Sequence, residues 1–187
     1  GRHIELVLED SLSSGKDAVS AFQKLVDVDG VRIVIGGQTS PEASALAPIA
    51  QERRILLLTT TATTDKLDDA GEYIFKLQEG NAGHARVLAS LINDLGYATI
   101  SALQVNNEYC ADMMKYFVQE ADQKGIAIKS AEKYEEQASD FRTQLTKVRT
   151  DKTNAVFLCG YYQDSGLLLK QARELGIAAQ FFGVTTI

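Results

Sequence analysis

Short apolar runs and longer half-apolar stretches alternate along the whole chain. Runs of strand length fall at Ile4 to Leu8, Val31 to Ile35, Ile55 to Leu58, Tyr73 to Leu77, Ile100 to Val105, Ile126 to Ile128, Ala155 to Leu158 and Phe181 to Val184. Most are unbroken rather than alternating, and several are rich in Ile and Val. That is the pattern of strands buried on both faces of a parallel sheet. Between them, apolar residues recur at helical spacing: Ala18, Phe22, Leu25 and Val26; then Leu88, Leu91, Ile92 and Leu95; then Leu167, Leu168, Ala172 and Leu175. Gly30, Gly96, Gly125 and Gly176 each follow such a stretch and precede a strand, where a helix ends on a left-handed residue. Strand and helix in strict alternation predict an α/β fold with parallel sheets and right-handed crossovers.

One interruption divides the chain. After Leu58 come Thr59-Thr60-Thr61-Ala62-Thr63-Thr64, an acidic stretch, the short run to Leu77, and the polar segment Gln78-Glu79-Gly80-Asn81. That segment reads as a crossover into a second sheet, giving one lobe over 1–78 and another over 79–187. No Pro/Ser-rich tether separates them, so a short hinge is expected.

Composition narrows the function classes. The 187 residues are 45% hydrophobic and 24% charged, with a net charge of -6. An acidic chain without clustered Lys and Arg is a poor partner for nucleic acid or for an anionic lipid surface. No run approaches the ~18 apolar residues of a membrane span. Cys110 and Cys159 match no metal or redox spacing, and their number alone leaves the redox compartment open.

In parallel α/β sheets ligands gather beyond the carboxyl ends of the strands. After Ile35 stand Gly36-Gly37-Gln38-Thr39-Ser40-Pro41-Glu42, with Ser40 placed to cap a helix and Pro41 to occupy its first turn. Such a helix start offers N–H groups to an anion, although this loop by itself reads first as a capped helix without a ligand. The threonine run offers five hydroxyls in six positions. Tyr109 and Tyr161 stand just after two later strands, each an apolar wall with a hydroxyl. Catalytic signatures are missing: no Gly-rich dinucleotide loop, no P-loop, no nucleophile elbow, and only His3 and His84 as imidazoles. Cys110 has a helix start in its favour but no visible base. The acidic pairs Asp68-Asp69 and Glu135-Glu136 read as solvated surface. No cofactor and no metal site is expected.

Taken in order, several segments resemble the solute-binding proteins of branched-chain amino-acid (Leu/Ile/Val) ABC transporters, with the type I periplasmic-binding fold. They are Gly1 to Ser11, Lys16 to Val19 with Lys24 to Val26, Ile35-Gly36-Gly37, Ala47-Pro48-Ile49-Ala50, Asp140 to Leu145, Gly160-Tyr161-Tyr162 and Lys170 to Gly176. The resemblance implies two doubly wound parallel-sheet lobes, incomplete at both ends, that close on a ligand. The family's first strand, which lies between those at 4–8 and 31–35, is expected to be absent, leaving a gap that a rearranged strand or a homodimer of the fragment would fill.

The resemblance also implies roles. Ser40, Thr61 and Thr63 fall where the family holds a ligand carboxylate, and Tyr109 and Tyr161 fall on its aromatic walls. Thr185 stands where amino-acid binders place an acid for the ligand ammonium, so the ligand reads as an amino acid, an organic carboxylate or an amide. Partners are that small molecule and a membrane permease, and the location is periplasmic or extracellular. A ligand-sensing domain coupled to a signalling partner is the alternative, and an α/β enzyme the third reading. Because the strands before Cys110 and Cys159 should be neighbours in the second sheet, the two thiols are expected near each other, with their pairing left open.

Overall fold

The computed structural model describes residues 3–184. The chain divides into two compact units, Gly1–Gly80 and Asn81–Ile187.

The first unit comprises α1 (Gly15–Asp27), β1 (Ile33–Ile35), α2 (Ser40–Arg53), β2 (Leu56–Thr59), a 3-10 turn at Asp65–Leu67 and β3 (Ile74–Lys76). Its three strands are parallel, in the order β1-β2-β3. Side chains alternate across the sheet, and the two faces differ in cover. Val34, Leu57 and Ile74 are buried in one cluster with Phe22 and Val26 of α1 and Ala43, Leu46, Ala47 and Ala50 of α2. On the opposite face Ile33, Ile35 and Phe75 are exposed, Ile35 at 68%. The expectation of strands buried on both faces therefore fails in this unit, where α1 and α2 cover one side only.

The run from Ile4 to Leu8 forms no strand. Ile4 is 89% exposed there, and no described strand pairs with the run to complete a ladder. Composition suited to a strand does not make one without a neighbour to take its N–H and C=O groups.

The second unit comprises α3 (Asn81–Asp94), β4 (Thr99–Val105), α4 (Glu108–Gln123), β5 (Ala127–Tyr134), α5 (Arg142–Asp151), β6 (Ala155–Cys159), α6 (Tyr162–Glu174) and β7 (Gln180–Gly183). All its strands are parallel, in the order β5-β4-β6-β7. Here the doubly wound pattern holds: every residue of β6 is buried, as is β4 after Thr99. Phe117 and Phe157 meet at the centre, ring centroids 4.3 Å apart. The apolar run at 126–128 marks only the start of β5, which continues through Lys129, Ser130, Glu132 and Lys133. An edge strand alternates between core and water, so its polar half hides from a search for apolar runs.

The helices end as their glycines predict, with φ of 70° at Gly30 and 81° at Gly96. Among the described residues no helix is long and apolar enough to cross a membrane.

Candidate binding site

In the first unit, parallel pairing of β1 with β2 brings the loops at 36–40 and 60–64 out of the same sheet edge. Gly37 makes the first turn possible: at φ 66°, a Cβ there would lie 3.0 Å from the Ala43 Cα. The helix cap falls one residue earlier than expected. Thr39, not Ser40, caps α2, its hydroxyl accepting from the Glu42 N–H while Glu42 Oε2 accepts from the Thr39 N–H at 2.9 Å. The signature Thr39-Ser40-Pro41-Glu42 is a capping box, and it outcompetes a cap by Ser40. Ser11 adds its hydroxyl to the same carboxylate.

That box leaves Ser40 without a structural task. Its hydroxyl is buried and has no hydrogen-bond partner, and the same is true of the Thr63 hydroxyl in the neighbouring loop. Three of the other four threonines of the run are engaged. Thr61 donates to the Gln38 carbonyl at 2.7 Å, Thr59 to the Phe75 carbonyl, and Thr64 accepts from the Lys66 N–H. Thr61 is exposed and its hydroxyl ties the two loops together. An unpartnered buried hydroxyl costs about 1–3 kcal/mol. Two of them on adjacent loops make this sheet edge the candidate site of the first unit.

In the second unit, Tyr109 opens α4 and Tyr161 precedes α6. Their rings stack with centroids 6.2 Å apart and planes 21° apart. Asn107 organises this end of the sheet. Its Oδ1 caps α4 by accepting from the Cys110 N–H, and its Nδ2 donates to Glu136 at 2.7 Å and to the Tyr161 hydroxyl at 3.2 Å. Cys110 and Cys159 form a disulfide with Cα atoms 5.7 Å apart, joining the start of α4 to the end of β6. The pairing left open by the sequence is thereby decided, and Cys110 as a nucleophile is excluded.

Sequence reasoning gave Asn107, Tyr134 and Asp164 no role and read Glu136 as solvated surface, yet all four gather with Tyr161 at the carboxyl ends of β4, β5 and β6. Burial, with the nearby Asp164 charge, pushes the Tyr134 phenol well above its usual range. Burial, then Glu136, raises the Asp164 carboxyl. Glu135 and Glu136 are exposed as expected, yet Asn106 and Asn107 hold them. The signal was position, since Asp164 lies in the first turn of the helix that follows Gly160-Tyr161. Thr185 lies outside the described residues. His84 Nδ1 is buried without a partner, and no cluster among the described residues could hold a metal ion. A hollow of about 220 Å³ lined by Lys152, Thr153 and Gly176 opens at the amino ends of β6 and β7, away from these groups.

A family model described as periplasmic binding protein matches residues 1–187. The chain belongs to that family. The periplasmic binding proteins it matches include a leucine-, isoleucine-, valine-, threonine- and alanine-binding protein of Pseudomonas aeruginosa, 28% identical, over 98% of this chain and 49% of that protein. Among solved structures, a leucine binding protein from Thermotoga maritima superposes with a TM-score of 0.93 at 23% identity, over 98% of this chain and 53% of that one. A solute-binding protein of an ABC transporter from R. palustris, in complex with benzoate, gives 0.92 at 17% identity, over 100% of this chain and 52% of the other. The fold class is thus the type I periplasmic-binding α/β fold. The chain spans about half the length of the curated relatives it matches. Those relatives are named as binding proteins.

Proposed function

We propose that this chain belongs to the extracytoplasmic solute-binding component of an ABC importer, and that it captures a small carboxylate or amino-acid-like molecule. The single observation that carries the reading is the pair of buried, unpartnered hydroxyls on Ser40 and Thr63. A carboxylate is acceptor-only and carries about four lone-pair sites, so it takes both hydroxyls as donors. The start of α2 adds a favourable partial charge. Thr61 serves the site by fixing the loop through Gln38. Relatives named for Leu, Ile and Val binding support an aliphatic amino acid as the ligand class.

A location outside the cytoplasm is supported by the Cys110–Cys159 disulfide, which persists in oxidising compartments. The partner in this reading is a membrane permease that recognises the ligand-bound form.

The test is a thermal-shift screen of the full chain against carboxylates, amino acids and amides. A ligand at a hundred times its Kd raises stability by about 2.7 kcal/mol. A rise with a carboxylate that disappears in Ser40→Ala with Thr63→Ala is the expected result. A panel with no rise at all would refute the reading.

A further inference from the structure

Lys76 is the last residue of β3, paired in parallel with Thr59, so it leaves the first sheet at the same edge as the threonine loop. It stands two residues after Ile74, on the face that α1 and α2 cover. Its side chain is only 12% exposed. Burying an ammonium is costly, and a lysine at the end of an edge strand has water within easy reach. Its contacts show what it holds there.

Lys76 Nζ donates to the Thr64 carbonyl at 3.4 Å and forms an ion pair with Asp68. Asp68 is 53% exposed, and a bridge to so exposed a partner adds little stability. What the lysine does is geometric. It ties the end of β3 to both sides of the 3-10 turn at Asp65–Leu67, whose cap is Thr64. Gly80 marks the same spot: a Cβ there would lie 3.3 Å from Asp65 Oδ1, 3.6 Å from Lys76 Nζ and 3.8 Å from the Thr63 carbonyl. The threonine loop is thus pinned twice, at Thr61 by its bond to Gln38 and at Thr64 by Lys76. Thr63 lies between the two pins, with its hydroxyl buried and unpartnered.

A threonine hydroxyl in a slack loop turns readily to a nearby backbone group. Here both pins would have to yield first. We propose that Lys76 is a positioning residue of the carboxylate site, holding the Thr64 carbonyl and Asp68 so that the Thr63 hydroxyl stays free for the ligand. The inference rests on the solute-binding reading and deepens it, naming the residue that prepares one of the two hydroxyls. Without Lys76 only a fraction of molecules presents a free Thr63 hydroxyl, and apparent affinity falls by that fraction. Ser40 sits on the other loop, beyond the Thr39–Glu42 box, and does not depend on Lys76.

The experiment is a set of double-mutant cycles by titration calorimetry on the full chain. The probe is the tightest binder among leucine, 4-methylpentanoate, benzoate and the other acids of the thermal-shift panel. Lys76→Met is expected to weaken binding by about tenfold, as for a competent fraction of about one tenth. Lys76→Arg, which keeps the charge and the donors, should restore affinity to within about threefold. In a Thr63→Ala background Lys76→Met should cost less than about twofold, and in a Ser40→Ala background the full tenfold should return. Asp68→Asn, a change at an exposed position, should give a smaller loss that also disappears with Thr63→Ala, and it covers the case in which Lys76→Met does not fold. Equal losses in both backgrounds, no loss in either, or no rescue by arginine overturns the inference. Those outcomes leave the solute-binding reading intact. If no acid of the panel binds the natural chain, that reading falls, and this inference with it.

Discussion

Tyr109 and Tyr161 stack in near-parallel planes, and a disulfide ties the residue after the first to the residue two before the second. Neither ring is positioned by its own loop alone. The bridge closes a segment with a sequence separation of 49, so it also removes much of the unfolded chain's freedom. Replacing both Cys110 and Cys159 by Ser should therefore lower stability by about 2–4 kcal/mol in denaturant unfolding. Ligand affinity should fall as well, since the aromatic pair loses its tie. An unchanged unfolding midpoint would show that the bridge contributes nothing to stability.

Ser40→Ala and Thr63→Ala should separate stability from binding. Each removes a buried hydroxyl that has no partner, so the ligand-free melting temperature should stay level or rise slightly. Affinity for a carboxylate should drop by about tenfold or more per substitution in calorimetric titration. A loss of stability without a loss of affinity would mean that the hydroxyls serve the fold.

Gly160 and Tyr134 should behave as a coupled pair. A Cβ on Gly160 meets the Tyr134 hydroxyl before anything else, while the ring carbon behind it is 3.5 Å away. Gly160→Ala should thus cost about 1–3 kcal/mol in the natural background. In a Tyr134→Phe background most of that cost should vanish, a non-additivity that a double-mutant cycle reads directly.

The pH dependence of Asp164 has a defined sign. Its folded carboxyl is raised by burial and by Glu136, so in the window above the ordinary value of 3.8 the folded state binds more protons than the unfolded one. Stability from this group is fully present below 3.8 and is lost as pH rises through the raised value. Asp164→Asn should consequently raise the melting temperature at pH 7, and the gain should shrink toward zero in acid. A gain that is the same at every pH would assign the effect to packing rather than to charge.

The two sheets should also differ in firmness. Leu57 is buried on the covered face of the first sheet, and Leu57→Ala should cost about 2–5 kcal/mol. Ile35→Ser, on the uncovered face, should change this chain's stability by less than about 0.5 kcal/mol. Hydrogen exchange should be faster in β1 to β3 than in β4 and β6, which are enclosed on both sides.

Much of this architecture is legible in the residue pattern, for identifiable reasons. β4 and β6 are sandwiched between helices and read as unbroken apolar runs. β5 alternates at an edge and is seen only at its start. The segment at 4–8 misleads because its residues favour a strand whose neighbour is not among the described ones. The site is legible in part. Ser40 and Thr63 are proposed through the family resemblance, at loops that follow strands, but the cap on α2 is set by a reciprocal bond between Thr39 and Glu42, which spacing reveals only when the box is looked for. Tyr134 and Asp164 are missed because their meaning lies in what they fail to bond, and Asn107 because two of its bonds reach residues 29 and 54 positions away. A missing partner is a property of three dimensions, and no list of residue types contains it.

The uneven cover of the first sheet has a consequence for how its strands find their places. A strand with one greasy and one polar face knows which way up it must lie, but Ile33, Val34 and Ile35 offer nearly the same side chain to both sides. A slip by one residue would exchange the two faces with almost no change in hydrophobic content. What forbids it is polar: the Gly36 N–H donates to the Leu58 carbonyl at 3.1 Å, and Thr61 reaches the Gln38 carbonyl just beyond. The contacts that frame the mouth around Ser40 and Thr63 are therefore also the ones that keep β1 and β2 in step.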